Sequence, residues 1–148
     1  MKNNLRKCLS LFSTGITAIT SQTEDNLYEG ITVNSFSSVS LKPPIVMWCL
    51  DKKTKSKKNF IKKNKEYKII FLSANQKKDC YKLASKNNKF DHVHEVNLLK
   101  KSMGYLTCKL YKKFNAGDHI IILHKVIKFK INPKKKPLIF FRSKVLAW

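Results

Sequence analysis

Residues 30–56, GITVNSFSSVSLKPPIVMWCLDKKTKS, decide how the chain reads. The first part is dense in hydroxyl and amide groups: Thr32, Asn34, Ser35, Ser37, Ser38 and Ser40. Pro43-Pro44 then forbids helix and favours an extended backbone. Residues 45–50, IVMWCL, are short, continuous and apolar, the pattern of a strand buried on both faces. Polar side chains this dense beside a core strand need partners, because burying them unpaired is costly. A polyhydroxylated, phosphorylated ligand would supply them.

Working outward, residues 27–36 and 16–20 read as two strands of a hairpin, the second buried on both sides, with a polar turn at 22–26. Before them, Leu5, Cys8, Leu9 and Phe12 recur at helical spacing over residues 3–12. Downstream, residues 52–65 are lysine-rich and read as a short surface helix anchored by Phe60 and Ile61. Residues 67–72 form another strand. Ser73 is placed to cap a helix over 75–85 with Cys80, Leu83 and Ala84 on its inner face. Residues 87–101 lack a pattern and read as a loop. Residues 103–114, 118–131 and 137–142 are three further strands, separated by turns at Asn115-Ala116-Gly117-Asp118 and Asn132-Pro133. Six or seven strands, three short helices and tight turns predict one mainly β domain over 1–148, an antiparallel barrel with Greek-key connections. A Rossmann fold is disfavoured, since G-x-G-x-x-G is missing.

Composition narrows the classes. No apolar run approaches the roughly 18 residues of a membrane span. The apolar part after Lys2, Arg6 and Lys7 is interrupted by Ser10 and Ser13, unlike a secretory signal, so cytoplasm is the default. Cys8, Cys49, Cys80 and Cys108 form no C-x-x-C pair, and His92 and His94, readable as one strand face, have no third ligand, so no metal is expected. The net charge of +22 admits nucleic acid as a partner, yet only Arg6 and Arg142 of the 31 basic side chains are arginines. Base recognition usually enlists the arginine fork, and here lysine is scattered over every segment. The charge reads as a solvated surface.

The order T-x-N-S-F-x-S-V-S-L-x-P-P, an apolar strand, then C-L-D-x-x-x-x-S resembles the flavin reductase family, small reductase components of two-component flavin monooxygenases with a flavin-binding split β-barrel. Upstream, F-x-T-G-[IV]-T-x-[IV]-T is met by Phe12, Thr14, Gly15, Ile16, Thr17, Ile19 and Thr20. Downstream, Gly117-Asp118-His119 matches the family's G-D-H. PLIFFRSK at 137–144 matches P-L-[IVL]-[FY]-[FY]-R-x-[KR]-Y until Val145, which stands where tyrosine is usual.

The resemblance implies FMN or FAD along Thr32–Ser56. Thr32, Asn34 and Ser35 would hold phosphate and ribityl groups, and Ser38, Val39 and Ser40 the ring edge. Leu50, Asp51, Lys55 and Ser56 would reach the phosphate, with Asn75 beside the cofactor. His119 would be the catalytic residue in the nicotinamide half-reaction, and Phe12, His119, Arg142 and Lys144 would contact NADH or NADPH. It also implies a homodimer and a partner monooxygenase. Two other readings compete: a flavin-binding protein without turnover, favoured by Val145 and an abbreviated 87–101 loop, and a lysine-rich nucleic-acid-binding barrel. If the lysines are only a solvated surface, binding to duplex DNA is weak, indifferent to sequence and steeply salt-dependent. Anisotropy titrations at two salt concentrations check this; tight, sequence-selective binding near physiological salt would establish the nucleic-acid reading instead.

Overall fold

Two adjacent strands, β2 (Thr17–Gln22) and β6 (Glu66–Phe71), are buried on both faces and divide the interior into two cores. Side chains alternate across a strand, so neighbouring residues serve different cores. Ile19 and Ile69 join Trp48, Leu50, Phe60, Tyr67 and Ile122 in one cluster. Ala18 and Ile70 join Leu83, Phe90, Leu98 and Leu138 in the other. The computed structural model describes residues 2–86 and 88–148.

The remaining strands are β1 (Thr14–Gly15), β3 (Tyr28–Val33), β4 (Ser37–Leu41), β5 (Pro44–Asp51), β7 (Lys89–Phe90), β8 (Gly104–Ala116), β9 (His119–Ile131), β10 (Leu138–Phe141) and β11 (Lys144–Ala147). Eight of them form one antiparallel sheet in the order β4-β5-β9-β8-β6-β2-β3-β7, and β1-β10-β11 form a second. The insertion of β9 and β8 between β5 and β6 is a non-local crossover, as the Greek-key expectation required. The mainly β, antiparallel architecture predicted from the sequence is therefore observed. Four short helices complete it: α1 (Lys2–Leu9), α2 (Lys57–Phe60), α3 (Lys77–Ala84) and α4 (His92–Lys101). No helix of the described residues is long and apolar enough to cross a membrane.

Several local expectations are corrected. Residues 88–101 are not a loop but β7 followed by α4; Asn87, where the expected loop began, lies outside the described residues. Asp91 caps α4, its Oδ1 accepting from the His94 backbone N–H at 2.8 Å. The helix escapes periodicity analysis because its inward face buries Glu95 together with Leu98. His92 and His94 consequently lie on a helix, not on one strand face. Ala84 is exposed at the end of α3, while Cys80 and Leu83 face inward as expected. Lys42 and Pro43, joined by a cis peptide, form a tight turn pairing Leu41 with Pro44, so Pro43 lies in a chain reversal while Pro44 opens the extended β5 as expected. Leu5, Leu9 and Phe12 are exposed, so α1 buries no apolar stripe in its own chain.

His124 lies fully buried in the first core. It stacks on Tyr67 with ring centroids 4.7 Å apart, and its Nδ1 accepts from Trp48 Nε1 at 3.4 Å. Burial pushes its pKa down to about 4 from the ordinary 6.5. A depressed folded-state value contributes stability that is complete above the unfolded value and is lost as pH falls towards the folded one. Urea unfolding between pH 7 and pH 4 should therefore show a loss of about 3 kcal/mol attributable to His124. The difference between wild type and His124→Phe isolates that contribution, and equal pH slopes in the two proteins would refute it.

Candidate functional site

The end of β3, the end of β5 and the end of α3 converge on a cleft of about 530 Å³. Gly30 permits the convergence. A Cβ there would lie 2.6 Å from Leu83 Cδ2 and 3.2 Å from Phe90 Cε1, so only glycine allows α3 to pack this closely on β3. Asn88 secures the following segment: its Nδ2 donates to the Gly30 carbonyl at 2.8 Å, and the Gly30 N–H donates to the Asn88 carbonyl at 3.1 Å. These contacts hold Ser85, Lys86 and Asn88 along one wall of the cleft.

The opposite wall is the turn after β5. Asp51 Oδ1 accepts from the Lys53 N–H at 2.8 Å, curling Lys53, Thr54, Lys55 and Ser56 around the opening. Ser56 precedes the four-residue α2, which is too short to offer a helix-terminal anion site, so its contribution is a hydroxyl. Ser35 is fixed to β5: its Oγ accepts from the Cys49 N–H at 2.9 Å. Asn34 is exposed between β3 and β4, where its side chain is available to a ligand.

His119 enters the same cleft from the β8–β9 hairpin. Gly117 adopts φ 57° in that turn. Lys52 clamps the turn onto the end of β5, donating from Nζ to the Gly117 carbonyl at 2.7 Å and from its backbone N–H to the Asp118 carbonyl at 3.0 Å. The Asp118 carboxylate, 2.7 Å from His119 Nδ1, orients the ring.

Of the sequence-predicted residues, Thr32, Asn34, Ser35, Leu50, Asp51, Lys55, Ser56 and His119 line this single cleft. Ser38, Val39 and Ser40 do not; they lie on β4, an edge strand, with Val39 in the bulge between Ser38 and Ser40. Asn75 is exposed, in a 3-10 turn over Ala74–Gln76 that is capped by Ser73 with Gln76: Gln76 Oε1 accepts from the Ser73 N–H at 3.1 Å, and Gln76 Nε2 donates to the Leu98 carbonyl at 3.0 Å. Phe12, Arg142 and Lys144 gather around the small second sheet, where the Arg142 N–H donates to the Ser10 carbonyl at 2.7 Å. Val145 packs against the second core opposite Phe140. Sequence reading missed Lys53, Thr54, Ser85, Lys86 and Asn88; the only hint was Gly30, whose close approach to another element is a tertiary fact.

A recess of about 180 Å³ adjoins the cleft, and Asn34 lines both. Its walls include Phe36, Phe71, Met103 and Thr14, whose buried Oγ1 has no hydrogen-bond partner. The combined hollow thus offers cations and hydroxyls at one end and an aromatic recess with an unsatisfied hydroxyl at the other. That donor set fits a phosphorylated heteroaromatic molecule.

Residues 9–148 match the family model of the flavin reductase like domain. The chain is 31% identical over 131 residues to the FMN reductase (NADH) SmoA of Agrobacterium fabrum, covering 84% of this chain and 74% of the relative. It is 30% identical over 147 residues to the reductase subunit HsaB of a flavin-dependent monooxygenase of Mycobacterium tuberculosis, covering 93% and 78%. The NADH:FAD oxidoreductase SgcE6 of Streptomyces globisporus, solved with NAD and FAD fragments, superposes with TM-score 0.84 at 24% identity over 99% of this chain and 92% of that one. This last likeness concerns the fold.

Proposed function

The chain belongs to the family of flavin reductase like domains, and we propose that it is an NADH- or NADPH-dependent reductase of FMN or FAD that supplies reduced flavin to a partner monooxygenase. The observation that carries this reading is the convergence of Asn34, Lys55, Ser56, Ser85 and His119 on one cleft, with Asn34 also lining a neighbouring aromatic recess. Relatives named as an NADH-dependent FMN reductase and as the reductase subunit of a flavin-dependent monooxygenase support it.

A bound flavin and nicotinamide would supply the hydride-transfer chemistry themselves, which leaves binding and orientation to the chain's own residues. Lys53, Lys55 and Lys86 supply positive charge for the phosphate, and the Asn34 amide with the Thr54 and Ser56 hydroxyls supplies directional donors. Ile31, Val33, Leu50 and Leu83 give the cleft an apolar wall. The bulge at Val39 leaves that residue outside the β4–β5 register, which suits a backbone contact to the ring edge. His119, held by Asp118 and by the Lys52 clamp, orients the nicotinamide. Phe12, Arg142 and Lys144 serve the remainder of the dinucleotide, Arg142 through its fork.

The working unit in this reading is a cytoplasmic homodimer. Exposed Leu9, Phe12, Leu41, Phe129, Ile131 and Trp148 are large apolar side chains that a second copy would cover. The reading without turnover retains only Val145 in its favour, because the segment taken for an abbreviated loop is an ordered helix.

Mixing the purified protein with FMN or FAD and following NADH consumption tests the activity directly; binding of flavin without NADH oxidation would establish the reading without turnover. Asn34→Ala should weaken FMN affinity by about 1–3 kcal/mol, the range for losing a hydrogen bond to a charged group. Flavin fluorescence titration measures it, and an unaltered affinity would remove Asn34 from the site. His119→Ala should leave FMN affinity within about 0.5 kcal/mol yet slow flavin reduction roughly tenfold or more, since misplacing the nicotinamide forfeits the reactive geometry. Stopped-flow reduction separates the two steps; equal rates in mutant and wild type would make His119 a structural residue.

A further inference from the structure

A larger hollow, about 670 Å³, lies apart from the flavin cleft and shares no lining residue with it. It opens between β2, β3, β6 and α4, with Thr20, Tyr28, Lys68, Glu95, Val96 and Leu99 among its walls. Glu95 is its unusual member. The residue is only 3% exposed, and Oε1 accepts from Thr20 Oγ1 at 2.7 Å. Oε2 is buried without a hydrogen-bond partner, although a buried carboxylate ordinarily uses both oxygens.

We propose that this hollow is a second ligand site, taking a small organic amine whose ammonium is received by Glu95 and whose apolar body lies against Tyr28, Val96 and Leu99. Lys68 and His92 are near enough to act on Glu95 by charge, yet neither donates to Oε2; the Lys68 Nζ hydrogen bond goes to Thr107 Oγ1 at 2.9 Å. Burial accordingly raises the Glu95 pKa, with the Thr20 hydrogen bond and the Lys68 charge only opposing that rise. A ligand carrying its own positive charge would remove the cost of keeping the carboxylate ionised.

The free valence selects the ligand class. One oxygen is already engaged, so the site receives a single ammonium donor better than a guanidinium fork, which needs both. Among the described residues no three acidic, histidine or cysteine side chains are arranged to hold a metal. Glu24, Glu66 and Glu95 share the walls with Lys62, Lys65 and Lys68, and Glu24 is already paired with Lys62, so it is the unsatisfied Glu95 oxygen and not the overall charge of the hollow that selects a cation. The apolar walls favour an amine with a hydrocarbon or aromatic body over a bare cation.

The test is an amide-resolved NMR titration of the isotopically labelled full chain with benzylamine and with benzyl alcohol, which has the same shape without the charge. Benzylamine is expected to shift the Thr20, Tyr28 and Val96 signals saturably, and benzyl alcohol to bind about tenfold weaker or less. Glu95→Gln keeps an acceptor for Thr20 while removing the charge, and should weaken benzylamine about tenfold or more. Equal binding of amine and alcohol, full benzylamine affinity in Glu95→Gln, or no saturable shift at these residues would each overturn the proposal and leave Glu95 as an anchor of α4 on β2. Should Glu95→Gln fail to fold, the comparison of amine with alcohol on the wild-type chain decides alone. FMN binding is read separately, so failure here leaves the flavin reading untouched.

Discussion

The seven-residue antiparallel register of β5 against β9, from Ile45↔Lys125 to Asp51↔His119, positions the candidate cleft. It ties the polar run and apolar strand of residues 30–56 to a histidine almost seventy residues further on. A strand's side chains alternate, so a slip of one residue would move His119 to the other face and turn Trp48 and Leu50 out of the core. The core resists that slip, since Trp48, Leu50 and Ile122 are all essentially inaccessible to solvent. Packing energy thereby becomes positional accuracy at the cleft. Lys52 adds a local lock at the end of the same ladder, fastening the turn from which His119 emerges.

The two cores explain how a chain with so many lysines folds. Double burial of β2 and β6 supplies apolar contacts on both faces, and the positive charge is left to the exterior and to partly exposed clefts. Lysine suits this role because its flexible stem covers apolar surface while the ammonium stays in water. At the cleft three lysines, Lys53, Lys55 and Lys86, are brought together from two separate segments. Glu95 shows the reverse case, an acidic group taken inside and held by one hydroxyl.

Much of this was determined by the sequence alone. The doubly buried β2, the β2–β3 hairpin and the turn at Gly117-Asp118 follow from local periodicity and turn chemistry, which act over a few residues, whereas the double burial of β6 and the partial exposure of Met47 and Cys49 on β5 do not. Seven of the eight predicted residues in the cleft lie between Thr32 and Ser56 and so arrive together by chain continuity, although Ser38, Val39 and Ser40 in the same stretch turn away; His119 joins them only through the β5–β9 register. Tertiary structure decided the rest. Helix α4 escaped notice because Glu95 on its inner face breaks the apolar period, and that residue is tolerable only because Thr20, on a strand distant in sequence, donates to it. Lys86 and Asn88 join the cleft because Gly30 lets α3 approach β3, a contact between segments more than fifty residues apart. Side chains brought together across such separations leave no local pattern, since what selects them is the space between elements and not the conformation of either one.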